Sequence, residues 1–164
     1  MIELKVSDIP LGESEETLYL EKGELDLGSY EYTGGELHLH FNREEDTIRI
    51  FFTIKIALTL ICDRSLEPFP FDVEEDYEVI YRLDGDEYSD DVEVTVKPLA
   101  SHENVIQIDQ EVRDTILLAI PAKKLHPRYL DENGEPTDFQ VTFGKKTVDP
   151  RWEPLKSLKK DSQN

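Results

Sequence analysis

The chain has 164 residues, 38% hydrophobic and 34% charged, and its 37 acidic against 18 basic residues give a formal net charge of −19. That length fits one domain, or one domain with a tail, able to bury roughly 70% of its unfolded surface. The charge excludes broad non-specific nucleic-acid binding, since the body repels phosphate at long range, and the single cysteine excludes an internal disulfide.

Residues 1–6 alternate apolar and polar, with Ile2, Leu4 and Val6 on one face, and predict a strand. The same opening has no basic run leading into an apolar one, so no secretory signal is expected. A turn follows at 8–12, around Pro10 and Gly12. Two short alternating runs within 17–27 flank Lys22-Gly23 and predict a hairpin there.

The strongest pattern is 47–61, where Ile48, Ile50, Phe52, Ile54, Ile56, Leu58 and Leu60 share one face. Strict period two predicts a strand. It would run ~50 Å if straight, so a bend or bulge is expected. Arg49, Lys55 and the interleaved threonines make it too polar and too short for a membrane helix. Residues 35–41 (GELHLHF) are its expected antiparallel neighbour across a polar turn at 42–46.

Residues 76–83 and 92–99 form a further expected hairpin, with Val92, Val94 and Val96 as the apolar face of its second arm. Its loop carries Asp84, Asp86, Glu87, Asp90 and Asp91, the densest part of an acidic segment spanning 72–93. Solvation is the plain account of such a segment, and docking of a basic partner is the sharper one. Asp109 is placed to cap a helix whose apolar stripe is Val112, Ile116, Ala119 and Ile120, ended by Pro121. Residues 126–139 are polar with Pro, Gly and Asn and predict a loop, and 140–143 a short strand. Basic residues return in a tail at 144–164.

Strands before a helix predict an α+β, mainly β fold: a twisted antiparallel sheet, open or closed into a barrel, packed by one main helix. The expected organisation is one β-rich domain over 1–143 and a basic tail over 144–164.

Candidate chemistry is sparse. A metal site would need Cys62 with some of His38, His40, His102 and His126; His38 and His40 lie two apart on a predicted strand, but the plainer account puts them on the solvated face opposite Leu37, Leu39 and Phe41. No nucleophile triad, phosphate loop or metalloprotease motif occurs, so catalysis is not expected. The only tryptophan sits in Asp149-Pro150-Arg151-Trp152, ahead of Lys156. Trp152 with Leu155 and Leu158 either docks on the core or, with Arg151 and Lys156, anchors RNA or protein.

Three signatures in fixed order, ICDRSLEPFPFDVEEDYEVIY at 61–81, IDQEVRDTILLAIP at 108–121 and VDPRWEPLKSL at 148–158, resemble the bacterial YceD family. Cys62, Arg64, Leu66 and Pro68 match the first motif, Asp109 lies in the second, and Asp149, Pro150, Arg151 and Trp152 match the third. Ser65 stands where the family has a cysteine, and the second cysteine-bearing stretch, here 125–134, has none. One thiol cannot build a tetrahedral site, so no metal and no cofactor is expected. The resemblance implies a non-enzymatic cytoplasmic role in large ribosomal subunit biogenesis and large-subunit rRNA accumulation. Its expected partners are a ribosomal protein or a pre-large-subunit particle, with rRNA contacted through the tail and no membrane. Two alternatives stay open: an acidic chaperone for a basic ribosomal protein without RNA contact, and a metal-dependent enzyme or sensor.

Overall fold

The structure, a computed structural model, describes residues 2–83 and 95–137. Seven strands and a helix occur among them: β1 (Glu3–Lys5), β2 (Gly12–Glu21), β3 (Glu31–Arg43), β4 (Thr47–Ile61), β5 (Pro68–Leu83), β6 (Thr95–Leu99), β7 (Val105–Gln107) and α1 (Asp109–Ala119). The chain divides into two compact units, Met1–Arg128 and Tyr129–Asn164.

The first unit is built on a five-stranded sheet ordered β2-β3-β4-β5-β6, and β1 pairs antiparallel with β7 in a separate ladder. The fold is α+β and mainly β, as the strand pattern predicts. Among the described residues the sheet is open, not a barrel, with β2 and β6 at its edges.

β4 is its centre, and every even position from Ile48 to Leu60 is buried. Leu37, Leu39 and Phe41 of β3 and Val73, Val79 and Tyr81 of β5 join the same face. Nonpolar side chains on alternate positions force this face inward, since a slip of one residue would expose all of them. The core is closed by Ile106 and Ile108 and by Val112 and Ile116 of α1, which packs on β5.

The expected bulge is present, but on β3. Tyr32 pairs with Leu58 and Gly35 with Ile56, so Thr33 and Gly34 oppose Ala57 alone. Gly35 is needed there because a Cβ would lie 2.9 Å from the Lys55 carbonyl oxygen and 3.2 Å from the Ile56 Cβ.

Four expectations are corrected. The hairpin at 17–27 is absent: 12–21 is one strand, paired over its length with β3, and the chain leaves it at Lys22-Gly23. Leu25 and Leu27 are buried below that turn without joining a strand, so their alternation reflects burial alone.

The pair expected from 76–83 and 92–99 is not a hairpin. β6 runs parallel to β5, with Val79 opposite Thr95 and Leu83 opposite Leu99, which makes the sheet mixed. Period two is the same read in either direction, so alternation alone cannot fix strand sense. The acidic residues between these strands, Asp84, Asp86, Glu87, Asp90 and Asp91, lie outside the described residues.

The inward face of β6 also differs. Thr95 bonds Tyr77, Lys97 bonds Glu111 of α1 and Leu99 is buried, so the odd positions face the helix and Val96 does not. Finally, Asp109 is the first residue of α1 and not its cap. The N-cap is Ile108, with no side-chain cap hydrogen bond. Its buried side chain and the 3.3 Å bond from its N–H to the Ile2 carbonyl hold that corner. Asp109 then acts through its charge on the first turn. The helix ends before Pro121, as predicted.

In the second unit, residues 129–137 are described. The Asp131 carboxylate accepts N–H bonds from Asn133 and Glu135 at 2.9 Å each, and Leu130 bridges Pro136. Gly134, at φ +78°, closes this tight turn. The expected strand at 140–143, the tail, and the residues Asp149, Pro150, Arg151, Trp152 and Lys156 lie outside the described residues.

Candidate functional site

Cys62 leaves β4 at the far end of the central strand and opens a tight turn. Its N–H donates to the Glu67 carbonyl at 2.9 Å and its carbonyl accepts from Leu66 N–H at 2.8 Å. Leu66 takes φ +60° to close the loop, a conformation that favours glycine and costs a leucine strain. The turn is tied to a second segment. Asp63 N–H donates to the Lys124 carbonyl and Lys124 N–H to the Asp63 carboxylate, both at 2.7 Å. Arg128 forms an ion pair with Glu67. The motif at 62–68 and the start of the stretch at 125–134 are therefore neighbours in space, which the sequence pattern alone does not reveal.

The Cys62 thiol has no solvent exposure. Burial raises its pKa, but the Ser65 hydroxyl and the backbone N–H groups of His126, Ser65 and Arg64 together bring it down to about 7. Ser65 Oγ is itself buried and makes no hydrogen bond of good geometry. With no solvent path to Sγ, this is a polarised thiol held in the core rather than an available nucleophile.

These residues do not fit a metal. Ser65 offers a neutral hydroxyl where a thiolate would sit. His126 turns its backbone N–H, not its ring, toward Sγ, and its Nδ1 accepts from Arg128 N–H at 3.2 Å. Among the described residues, no three His, Cys, Asp or Glu side chains are grouped to hold an ion. His38 and His40 lie on the outward face of β3, away from Cys62's turn, and His38 Nδ1 is 3.0 Å from the Thr17 hydroxyl.

The outer face of the sheet carries the charge. Asp72, Glu74, Asp76 and Glu78 occupy alternate positions of β5. β4 answers three of them: Lys55 pairs with Glu74 at 2.6 Å, Arg49 with Glu78 at 2.8 Å, and the Thr53 hydroxyl donates to Asp76 at 2.6 Å. Glu74 raises the Lys55 pKa by hydrogen bond and by charge. These pairs are solvated, so each adds little to stability. Phe51 and Tyr19 stand exposed on the same face.

A second polar cluster sits between α1 and the sheet edge, and sequence reasoning missed it. Lys97 of β6 forms an ion pair with Glu111 of α1, whose side chain is 6% exposed. Glu111 Oε2 is buried with no hydrogen-bond partner. Burial, then the negative charge of Glu111, pushes the nearby Tyr81 phenol above the usual tyrosine range. The available signal was weak: Glu111 adjoins the apolar stripe at Val112, and Lys97 follows the last of the alternating valines.

Among the described residues, an open mixed sheet backed by one helix, with an acidic outer face and no metal-ligand cluster, defines a mainly β domain. The chain belongs to the family described as large ribosomal RNA subunit accumulation protein YceD, whose family model matches residues 50–159. That span takes in the Cys62 turn, β5, β6 and α1. No curated protein and no solved structure matches the chain. No helix among the described residues is long and apolar enough to cross a membrane.

Proposed function

We propose that this protein acts, without catalysis of its own, in the biogenesis of the large ribosomal subunit in the cytoplasm, supporting accumulation of large-subunit rRNA. The observation that carries this reading is the family match over residues 50–159. Its physical support is the charge distribution. A chain of net charge −19 attracts basic ribosomal proteins over distances comparable to the Debye length. The alternating acids of β5 supply one such surface, and Asp84, Asp86, Glu87, Asp90 and Asp91 extend the acidic segment in sequence.

The tail at 144–164 then engages RNA or another assembly component through Arg151, Trp152 and Lys156, because tryptophan and arginine stack on bases. The test is deletion in the native host followed by sedimentation of ribosomal particles. A deficit of large subunits is expected, and normal large-subunit levels would overturn the reading.

A second reading is a chaperone for one basic ribosomal protein without RNA contact, favoured by the acids aligned on β5. A tagged pull-down with and without nuclease separates the two. Capture of large-subunit precursor RNA lost on nuclease treatment supports the first reading. A single basic protein surviving nuclease supports the second.

A further inference from the structure

We infer that the cavity between α1 and the β5–β6 edge of the sheet seats an arginine side chain of a basic protein partner, with Glu111 as its acceptor. The inference rests on the reading of this protein as a docking partner for a basic ribosomal component, and it names the recognition chemistry at one place.

The cavity holds about 490 Å³ and is lined by Tyr77, Lys97, Glu111, Asp114 and Leu118. Glu111 is 7% exposed, and an ionised carboxylate so deeply placed needs partners for both oxygens. Lys97 satisfies Oε1. Oε2 is buried with no hydrogen-bond partner, so the carboxylate that lines the cavity keeps acceptor capacity unused. A charged donor fits it best, because hydrogen bonds between ionised groups are about twice as strong as neutral ones.

The surroundings select a guanidinium. Asp114 follows Glu111 by three residues on α1 and so lies on the same helix face, a second carboxylate at the rim. Leu118 is one further turn along and 86% exposed, an isolated apolar surface suited to the methylene stem of an arginine. The Tyr77 hydroxyl is engaged with Thr95 at 2.6 Å, and its ring contributes a face on which a guanidinium can stack. Arginine is less strongly hydrated than lysine and presents a planar fork of donors, so it enters a half-dry cavity at lower cost. A divalent cation is disfavoured, because the Lys97 ammonium already sits on the carboxylate and, among the described residues, Asp76, Glu111 and Asp114 are not grouped closely enough to hold an ion.

The test is NMR titration of the full chain with the peptide acetyl-Gly-Leu-Arg-Leu-Gly-amide and its citrulline counterpart, at low and moderate salt. Shifts centred on Tyr77, Glu111 and Leu118 are expected, with binding by the citrulline peptide weakened about ten-fold or more. Glu111→Gln should weaken the arginine peptide to a similar degree. Because that change also deprives Lys97 of its partner, the double variant Asp114→Asn/Leu118→Ala on the exposed helix face provides an independent check. It should retain the fold and lose several-fold in affinity. Equal binding of citrulline, or full affinity in the double variant, would overturn the inference. Shifts confined to the outer face around Glu74 would also overturn it while leaving the docking reading standing. No shift anywhere would overturn it as well, and particle sedimentation from the deletion strain would then judge the broader function separately.

Discussion

The backbone N–H of His126 donates to the sulfur of Cys62 at 3.3 Å, joining positions 64 residues apart. The contact closes the mouth of the turn after β4 and makes the only thiol part of a hydrogen-bonded corner of the core. It accounts for a cysteine that persists without the partners a metal site would require.

Thiol reagents should therefore fail to label Cys62 in the folded protein and react at once in denaturant, a contrast measurable with an aromatic disulfide. Cys62→Ala should cost about 1–3 kcal/mol in urea unfolding, through lost packing and an orphaned His126 N–H. Rapid labelling of the native chain would show that the corner opens.

The same thiol predicts a pH dependence. Its folded pKa of about 7 lies below the usual 9.0, so the folded state favours the thiolate. That contribution is fully present above about pH 9 and is lost as pH falls through 7. Between these values, unfolding curves of the wild type should gain stability with rising pH relative to Cys62→Ala. A flat difference between the two proteins would refute the assignment.

Lys97→Met should leave the Glu111 carboxylate uncompensated at 7% exposure and cost about 2–4 kcal/mol, somewhat less than a fully buried pair because Lys97 is itself partly exposed. Adding Glu111→Leu should recover much of the loss. A double-mutant cycle in urea measures this coupling, and additivity within error would mean that the pair does not interact.

Gly35→Ala should destabilise by about 1–3 kcal/mol, since the new Cβ would meet the Lys55 carbonyl oxygen at 2.9 Å and force the β3–β4 register apart at the bulge. The check is thermal unfolding beside Gly23→Ala, where nothing lies within 4 Å and the cost arises only from the positive φ.

Arg43 offers a further test of how the N-terminal segment is held. Its Nη1 donates to the carbonyls of Val6 and Ile9 at 2.7 and 2.6 Å. Arg43→Met should cost about 1–3 kcal/mol by removing the charged donor from the Ile9 carbonyl and leaving the Val6 carbonyl only the Ile9 N–H at 3.4 Å. Faster hydrogen exchange in the β1–β7 ladder is the expected signature, because the Val6 N–H that meets the Asn104 carbonyl lies beside that clamp.

What the sequence determined by itself was the material of the fold. Seven apolar side chains on alternate positions of β4 can be buried only as a strand, and Val112 and Ile116 followed by Pro121 allow only a short helix with one inward face. The neighbour of β4 was legible too, since a polar turn joins two alternating runs at 35–41 and 47–61.

Direction and partnership were decided in three dimensions. Alternation is unchanged on reversal, so β6 could be found but not oriented, and its inward face belongs to Thr95, Lys97 and Leu99 rather than to Val96. Lys97 and Glu111 are both ordinary surface residues by type. Only the docking of α1 on β5 beside a parallel edge strand places them together in a half-dry cavity, where unmet hydrogen-bonding capacity acquires energetic weight. The Cys62 corner follows the same logic, because it joins the turn after β4 to Lys124 and His126, about sixty residues further along the chain.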